Sequence, residues 1–295
     1  MRINPGNHQH IGTRSEQQDS FAFSDLSDAS FLAHGGALAV LADGMGGHAE
    51  GADASRIAVR EFLEAYTRKS FEETIEEALD RSIYEANEAV YAFAAEKGIT
   101  GNCGTTLVAA VIHGSGIYWI HAGDSRLYIT DGQSLTPLTE DHIYAKDLDR
   151  AVEKGFIDEE MALRHPDREA LTSYLGDSII AKLGKGALPA SAEGLPPNGF
   201  TLLLCSDGLY KTLQEDRMIE AYSKDPQEWS RALVEMTIEE GLFCQDNVTV
   251  LCLDVAVSNG WAFDHACFFQ SAEKEWGPWS ISTRSMRAPA LSRKT

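Results

Sequence analysis

Two short apolar runs, each closed by Asp-Gly, constrain the fold of this chain most. Leu38-Ala-Val-Leu-Ala leads into Asp43-Gly44, and Leu202-Leu-Leu-Cys-Ser leads into Asp207-Gly208. A continuous apolar stretch of this length, bounded by turn residues, reads as a strand buried on both faces. A third such strand, Val248 to Val255, is opened by Asp246-Asn247. Strands covered on both faces need further layers around them, so an α/β layered domain is expected.

The remaining pattern supplies those layers. From Gly51 the apolar residues Ala54, Ile57, Ala58, Phe62 and Ala65 fall on one helical face. Between Glu72 and Lys97 the residues Ile75, Leu79, Ile83, Ala86, Val90 and Phe93 recur at three- and four-residue steps, and Gly98 supplies a stop. Strands are predicted over Thr105–Ile112, Ile117–His121 and Leu127–Thr130, with Asp131-Gly132 as a hairpin turn. Helices are predicted over Asp141–Gly155 and Asp225–Glu240, the second with Trp229, Leu233 and Met236 on its apolar side. Residues from about 156 to 186 read as mixed short helices and turns. After Val257 the aromatics Trp261, Phe263, Phe268, Phe269, Trp276 and Trp279 crowd one stretch before a Ser-, Arg- and Pro-containing end. We place a domain boundary there, with one domain over residues 1–257 and a tail over 258–295.

Charge and cysteine use narrow the function. The 295 residues carry a formal net charge of −20, which opposes binding to nucleic acid or to anionic lipid. The five cysteines are scattered, with no C-x-x-C pair, so neither a disulfide framework nor a thiolate metal site is expected. No N-terminal apolar segment resembles a signal peptide and no run could span a bilayer. A cytoplasmic location and a monomer are the expectation.

Aspartates delivered by strand ends to one sheet edge suit hard divalent cations, which prefer oxygen ligands. Sites of that kind commonly handle phosphate. Asp19, Asp43, Asp207 and Asp246 are the candidates, joined by Asp124 in Gly123-Asp-Ser-Arg126. Arg14 carries a planar fork able to grip two phosphate oxygens. Each of these segments, taken singly, also reads as a turn, a cap or a surface ion pair; their joint presence in this order is what decides.

The chain resembles the metal-dependent protein serine/threonine phosphatases of the PPM, or PP2C-like, family in their bacterial form. The resemblance rests on Gly12-x-Arg14, Gln18-Asp19, Asp43-Gly-Met-Gly-Gly-His48, Gly104-Thr-Thr-Leu107, Gly123-Asp-Ser-Arg126, Leu138-Thr-Glu-Asp-His142, Ser206-Asp-Gly-Leu209 and Asp246-Asn-Val-Thr249, spread over residues 9 to 256. It implies an α-β-β-α sandwich, with two central, mainly antiparallel β-sheets flanked by helices. It further implies that Asp19, Asp43, Asp207, Asp246 and the carbonyl of Gly44 hold two Mg²⁺ or Mn²⁺ ions. A hydroxide bridging those ions would attack the phosphorus of phosphoserine or phosphothreonine, with Arg14 on the phosphoryl oxygens and His48 protonating the leaving oxygen. Asp124 and Asp207 would hold a third, weaker ion. Residues 146–177 resemble the flap beside the family's cleft, and the implied partners are phosphorylated Ser/Thr proteins and a cognate Ser/Thr kinase. One departure is Gln18, where many relatives carry Glu; it removes a negative charge without removing a direct ligand. Two other functions stay open at this point: a silent phosphoprotein-binding module, and a hydrolase of small phosphate esters.

Overall fold

The structure, a computed structural model, describes residues 2–47, 49–190, 195–196 and 199–256. His48 and the tail expected beyond Val257 lie outside the described residues.

Two antiparallel sheets stack face to face. The first has the order β1 (Arg2–His10), β11 (Val248–Ala256), β10 (Phe200–Cys205), β7 (Arg126–Thr130) and β8 (Leu135–Pro137). The second runs β2 (Asp19–Phe23), β3 (Ala37–Gly46), β5 (Leu107–His113), β6 (Gly116–Ala122) and β9 (Gly184–Pro189), with β4 (Cys103–Thr105) paired to the far end of β3. The helices are α1 (Ala29–Gly35), α2 (Ala49–Thr67), α3 (Ile75–Lys97), α4 (Tyr144–Glu153), α5 (Glu159–Leu163), α6 (Asp207–Tyr210), α7 (Glu215–Glu220) and α8 (Pro226–Glu239).

The continuous apolar runs are explained by three layers of core. Alternate residues of a strand face opposite sides of its sheet. In β3, Leu38, Val40 and Ala42 face α2 and α3, where they meet Phe62, Ile83 and Val90. Ala39 and Leu41 face the other sheet and join Val108, Ile112, Leu202, Leu204, Leu251 and Leu253. On the outer side of the first sheet, Leu203, Val250 and Cys252 pack on Trp229, Leu233 and Val234 of α8. Both faces of the central strands are therefore dry, as their composition requires. Cys205 and Cys252 are fully buried small core residues.

Helix ends follow local chemistry. α3 starts at Ile75 rather than at Glu72, because Thr74 caps it and Glu77 returns a bond to the Thr74 backbone, a reciprocal capping box. Gly98 closes it in the left-handed conformation (φ 71°). The helix expected from Asp141 begins only at Tyr144. Asp141 is instead held by the Arg126 guanidinium through two bonds of 2.9 and 2.7 Å, and His142 donates its backbone N–H to Gly123. No helix among the described residues is long and apolar enough to cross a membrane.

The expected acidic edge is present at one end of the sandwich. β3 carries Asp43 into its last residues, and Asp19 opens β2 directly opposite it in the register. Asp207 follows β10, Asp246 precedes β11, and Asp124 joins β6 to β7.

Candidate active site

Asp19 and Asp43 are fixed from behind by hydroxyls. Ser206 Oγ and Thr249 Oγ1 both donate to Asp19 Oδ2, at 2.8 and 2.7 Å. Ser206 Oγ also accepts the Thr249 backbone N–H, which locks the two strands of the first sheet onto a carboxylate of the second. The Gly104-Thr-Thr segment serves Asp43. Thr106 Oγ1 accepts the Asp43 N–H, while Thr105 Oγ1 and the Thr106 N–H donate to the Asp43 carbonyl. Thr106 in turn shares a hydrogen bond of 2.7 Å with Ser125 in the Asp124 turn.

Gly44 has no room for a side chain. A Cβ there would stand 2.1 Å from the Gly51 carbonyl oxygen and 2.8 Å from that of Gln18. The backbones of β3, of the start of α2 and of the segment before Asp19 therefore meet at Gly44, which allows its own backbone to lie at the acidic edge.

Asn247 organises the loop that carries Arg14. Its Oδ1 accepts the Gln18 N–H at 2.7 Å, and its Nδ2 donates to the carbonyls of Ile11 and Glu16. Gly12, at φ 65°, comes so close to Asp246 that a Cβ would lie 2.2 Å from its carbonyl oxygen. Arg14, at the exposed rim, reaches Asp246 Oδ2 at 2.7 Å.

The electrostatics show how closely the carboxylates crowd. Loss of hydration on burial, followed by the charges of Asp207 and Asp246, pushes Asp19 up to about 7, against the pull of its two hydroxyl partners. Asp43 also lies well above the usual carboxylate range, through lost hydration and then the charges of Asp19, Asp207, Asp124 and Asp246. Asp124 is raised by burial and by Asp207. As placed, no three His, Cys, Asp or Glu side chains among the described residues close on a common point. Each carboxylate is drawn to its own partner: Asp246 to Arg14, Asp207 to Lys211 at 2.6 Å, and Asp124 to Tyr210 at 3.1 Å and Lys211 at 3.5 Å. The Lys211 ammonium is itself held charged: burial works against it, but Asp207 and Asp124 more than offset that cost.

The donor set fits a pair of hard cations. Asp19 Oδ1 and Asp207 Oδ1 are buried oxygens with no hydrogen-bond partner among the described residues. A buried acceptor left bare costs free energy unless a cation or water meets it. Two bare carboxylate oxygens, on residues that repel one another, are hard donors of the kind that Mg²⁺ or Mn²⁺ prefers.

Comparison with known proteins decides the lineage. The sequence signature described as Protein phosphatase 2C matches residues 7–237. The chain belongs to the protein phosphatase 2C family. It is thereby a protein serine/threonine phosphatase. It is 34% identical over 220 residues to a serine/threonine phosphatase, stp, of Listeria monocytogenes, covering 74% of this chain and 84% of that protein. The serine/threonine protein phosphatase PstP of Mycobacterium tuberculosis is 31% identical over 222 residues, 75% of this chain and 41% of PstP. The catalytic domain of PstP, solved with two manganese ions, superposes with a TM-score of 0.64 at 29% identity, covering 86% of this chain and 99% of that one. A serine/threonine phosphatase of S. agalactiae superposes with a TM-score of 0.70 at 28% identity, over 85% of this chain and 99% of the other.

The sequence did not single out the supporting residues. Ser206 and Thr249 stood in the motifs as bystanders, and Asn247 read as a turn. Lys211 was missed altogether; only its spacing of four from Asp207, one helical turn, could have signalled it. His165 behaves as a turn residue, accepting the Asp167 N–H and meeting the Tyr144 ring edge-on.

Proposed function

We propose that Asp19, Asp43, Asp207 and Asp246, with the carbonyl of Gly44, hold two Mg²⁺ or Mn²⁺ ions for the hydrolysis of phosphoserine and phosphothreonine in protein substrates. The observation that carries this reading is the pair of buried, partnerless oxygens on Asp19 and Asp207, at an edge where burial and neighbouring carboxylates raise Asp19 and Asp43. When bound there, the ions would supply Lewis-acid charge and lower the pKa of bound water.

The protein's own groups provide position and selectivity. Ser206 and Thr249 occupy Asp19 Oδ2, so only Oδ1 faces the site. Thr105 and Thr106 fix the backbone of Asp43 from both sides. Arg14 is exposed, and on leaving Asp246 its fork would meet two phosphoryl oxygens and offset the charge that builds during transfer. His48 is assigned the proton that the leaving seryl or threonyl oxygen takes up. No side-chain nucleophile is required.

Residues 146–177 are proposed as a flap that shapes the substrate cleft. Its footing is built into the domain: Leu175 pairs with Thr105 of β4, and Leu171 with Ile143. The substrates are then phosphoproteins made by a cognate Ser/Thr kinase, and the working form is a cytoplasmic monomer. The test is phosphate release from a phosphothreonine peptide with and without Mn²⁺, for wild type, Asp43→Asn and Arg14→Ala. Loss of metal-dependent turnover is expected in the first variant. For Arg14→Ala, kcat/KM should fall by about 10²-fold, the scale of one transition-state donor. Turnover by Asp43→Asn at wild-type rate in saturating Mn²⁺ would remove the ion-pair assignment.

A further inference from the structure

The acidic edge holds a fifth carboxylate, Asp124, which shares a basic partner with Asp207. Asp124 is buried, yet it has a basic partner inside the protein. Lys211 Nζ lies 2.6 Å from Asp207 Oδ2 and 3.5 Å from Asp124 Oδ2, so one ammonium bridges the two side chains expected to share a third ion.

This placement is built rather than incidental. Asp207 and Lys211 sit one turn apart at α6, and the Lys211 N–H also donates to the Asp207 carbonyl. Tyr210 donates its hydroxyl to the same Asp124 oxygen. The Tyr210 ring lies under the Arg126 guanidinium at 3.5 Å, and that guanidinium grips Asp141 with both arms. Asp124 Oδ2 is thus held by a chain of fixed groups running back to the Leu138-Thr-Glu-Asp141 segment.

We propose that the Lys211 ammonium takes the place of a third metal ion in this chain, so that the enzyme works with two divalent cations and one built-in cation. The inference rests on the ion-pair reading above and refines it. Five carboxylates are then balanced by two divalent ions and one ammonium, and Arg14 remains free for the substrate. A third divalent ion between Asp124 and Asp207 would have to displace Lys211 or sit beside it. A unit positive charge about 4 Å away weakens binding of a divalent ion by roughly thirtyfold even at the dielectric of water. Asp124 becomes a positioning residue for Lys211 and Asp207 rather than a metal ligand.

The experiment counts ions. Bound Mn²⁺ is measured on the full chain from the loss of the free-ion electron paramagnetic resonance signal, across a titration into the millimolar range. Wild type should saturate at two ions. Lys211→Ala and Lys211→Asp should each gain a third, weaker ion, and Asp124→Asn placed in the Lys211→Asp background should remove it again. Three ions on wild type would overturn the proposal, as would two on both folded Lys211 variants. Fewer than two on wild type is a separate failure: it would overturn the ion-pair reading itself, and this inference with it. Lys211 is partly exposed, and a thermal melt of each variant verifies that the count is made on folded protein.

Discussion

Removing the charge of Asp19 should stabilise the metal-free protein while destroying its use. Burial and neighbouring carboxylates push Asp19 from 3.8 up to about 7. At 1.36 kcal/mol per unit, keeping it ionised in the fold costs about 4 kcal/mol. Asp19→Asn abolishes that cost and keeps an oxygen to accept from Ser206 and Thr249. Its amide nitrogen replaces the bare Oδ1, however, and a buried donor without a partner costs about 1–3 kcal/mol. The net gain is about 1–3 kcal/mol, or roughly 2–10 °C in Tm for a domain of this size. The sign depends on pH. The folded pKa exceeds the unfolded one, so the penalty in wild type is present in full above pH 7, shrinks as protons bind, and is absent below pH 3.8. In a chelating buffer the variant should melt above wild type at pH 8, and the order should invert between about pH 4.5 and 6, where the shrinking penalty falls to the size of the amide cost. With Mn²⁺ at pH 8 the wild type should rise above the variant, since ligands that bind only the folded state stabilise it. A variant less stable than wild type at pH 8 in chelator, or a gap that ignores pH, would refute the account of a repelling, desolvated acidic edge.

Asn247→Ala should cost about 2–4 kcal/mol in urea unfolding, since it strips three hydrogen bonds from the loop between Ile11 and Gln18; a loss under 1 kcal/mol would show that the loop holds itself. The buried pair His121 and His142 predicts acid sensitivity. The rings stack at 4.6 Å; His142 Nδ1 accepts from Gly123, and burial, then the neighbouring His121, pushes His142 down to about 2. The unfolded chain therefore binds a proton below about pH 6.5 that the folded one refuses, so stability falls on acidification. His142→Asn should make the slope between pH 6.5 and 4.5 shallower by about 1.4 kcal/mol per pH unit; an unchanged slope, read from urea midpoints, would contradict it.

The sequence exposed the centre of the fold better than its margins. β3, β5, β10 and β11 are apolar on both sides because a layer covers each face, and that pattern is visible in one dimension. β1 and β9 are sheet edges with one neighbour each, so apolar demand is weaker. β1 is polar and carries Pro5, which an edge strand tolerates. β9 hides its pairing behind Gly184 and Gly186, which are small because the rings of His121 and Trp119 occupy the space of their side chains. At the acidic edge, Asp43 and Asp207 were legible as candidates from their place after apolar runs, and Asp246 from its place before one. Ser206, Thr249, Asn247 and Lys211 were not, since their roles depend on which strand ends meet in space.

The pairing of β1 with β11 joins residues nearly the whole described chain apart, with Arg2 opposite Ala256. Asp246 and Thr249 belong to that same late segment. During synthesis, then, β1 waits without its mate, and the acidic edge lacks both Asp246 and Thr249, until β11 has emerged from the ribosome. A polypeptide ended before Asp246 should therefore release no phosphate from a phosphothreonine peptide.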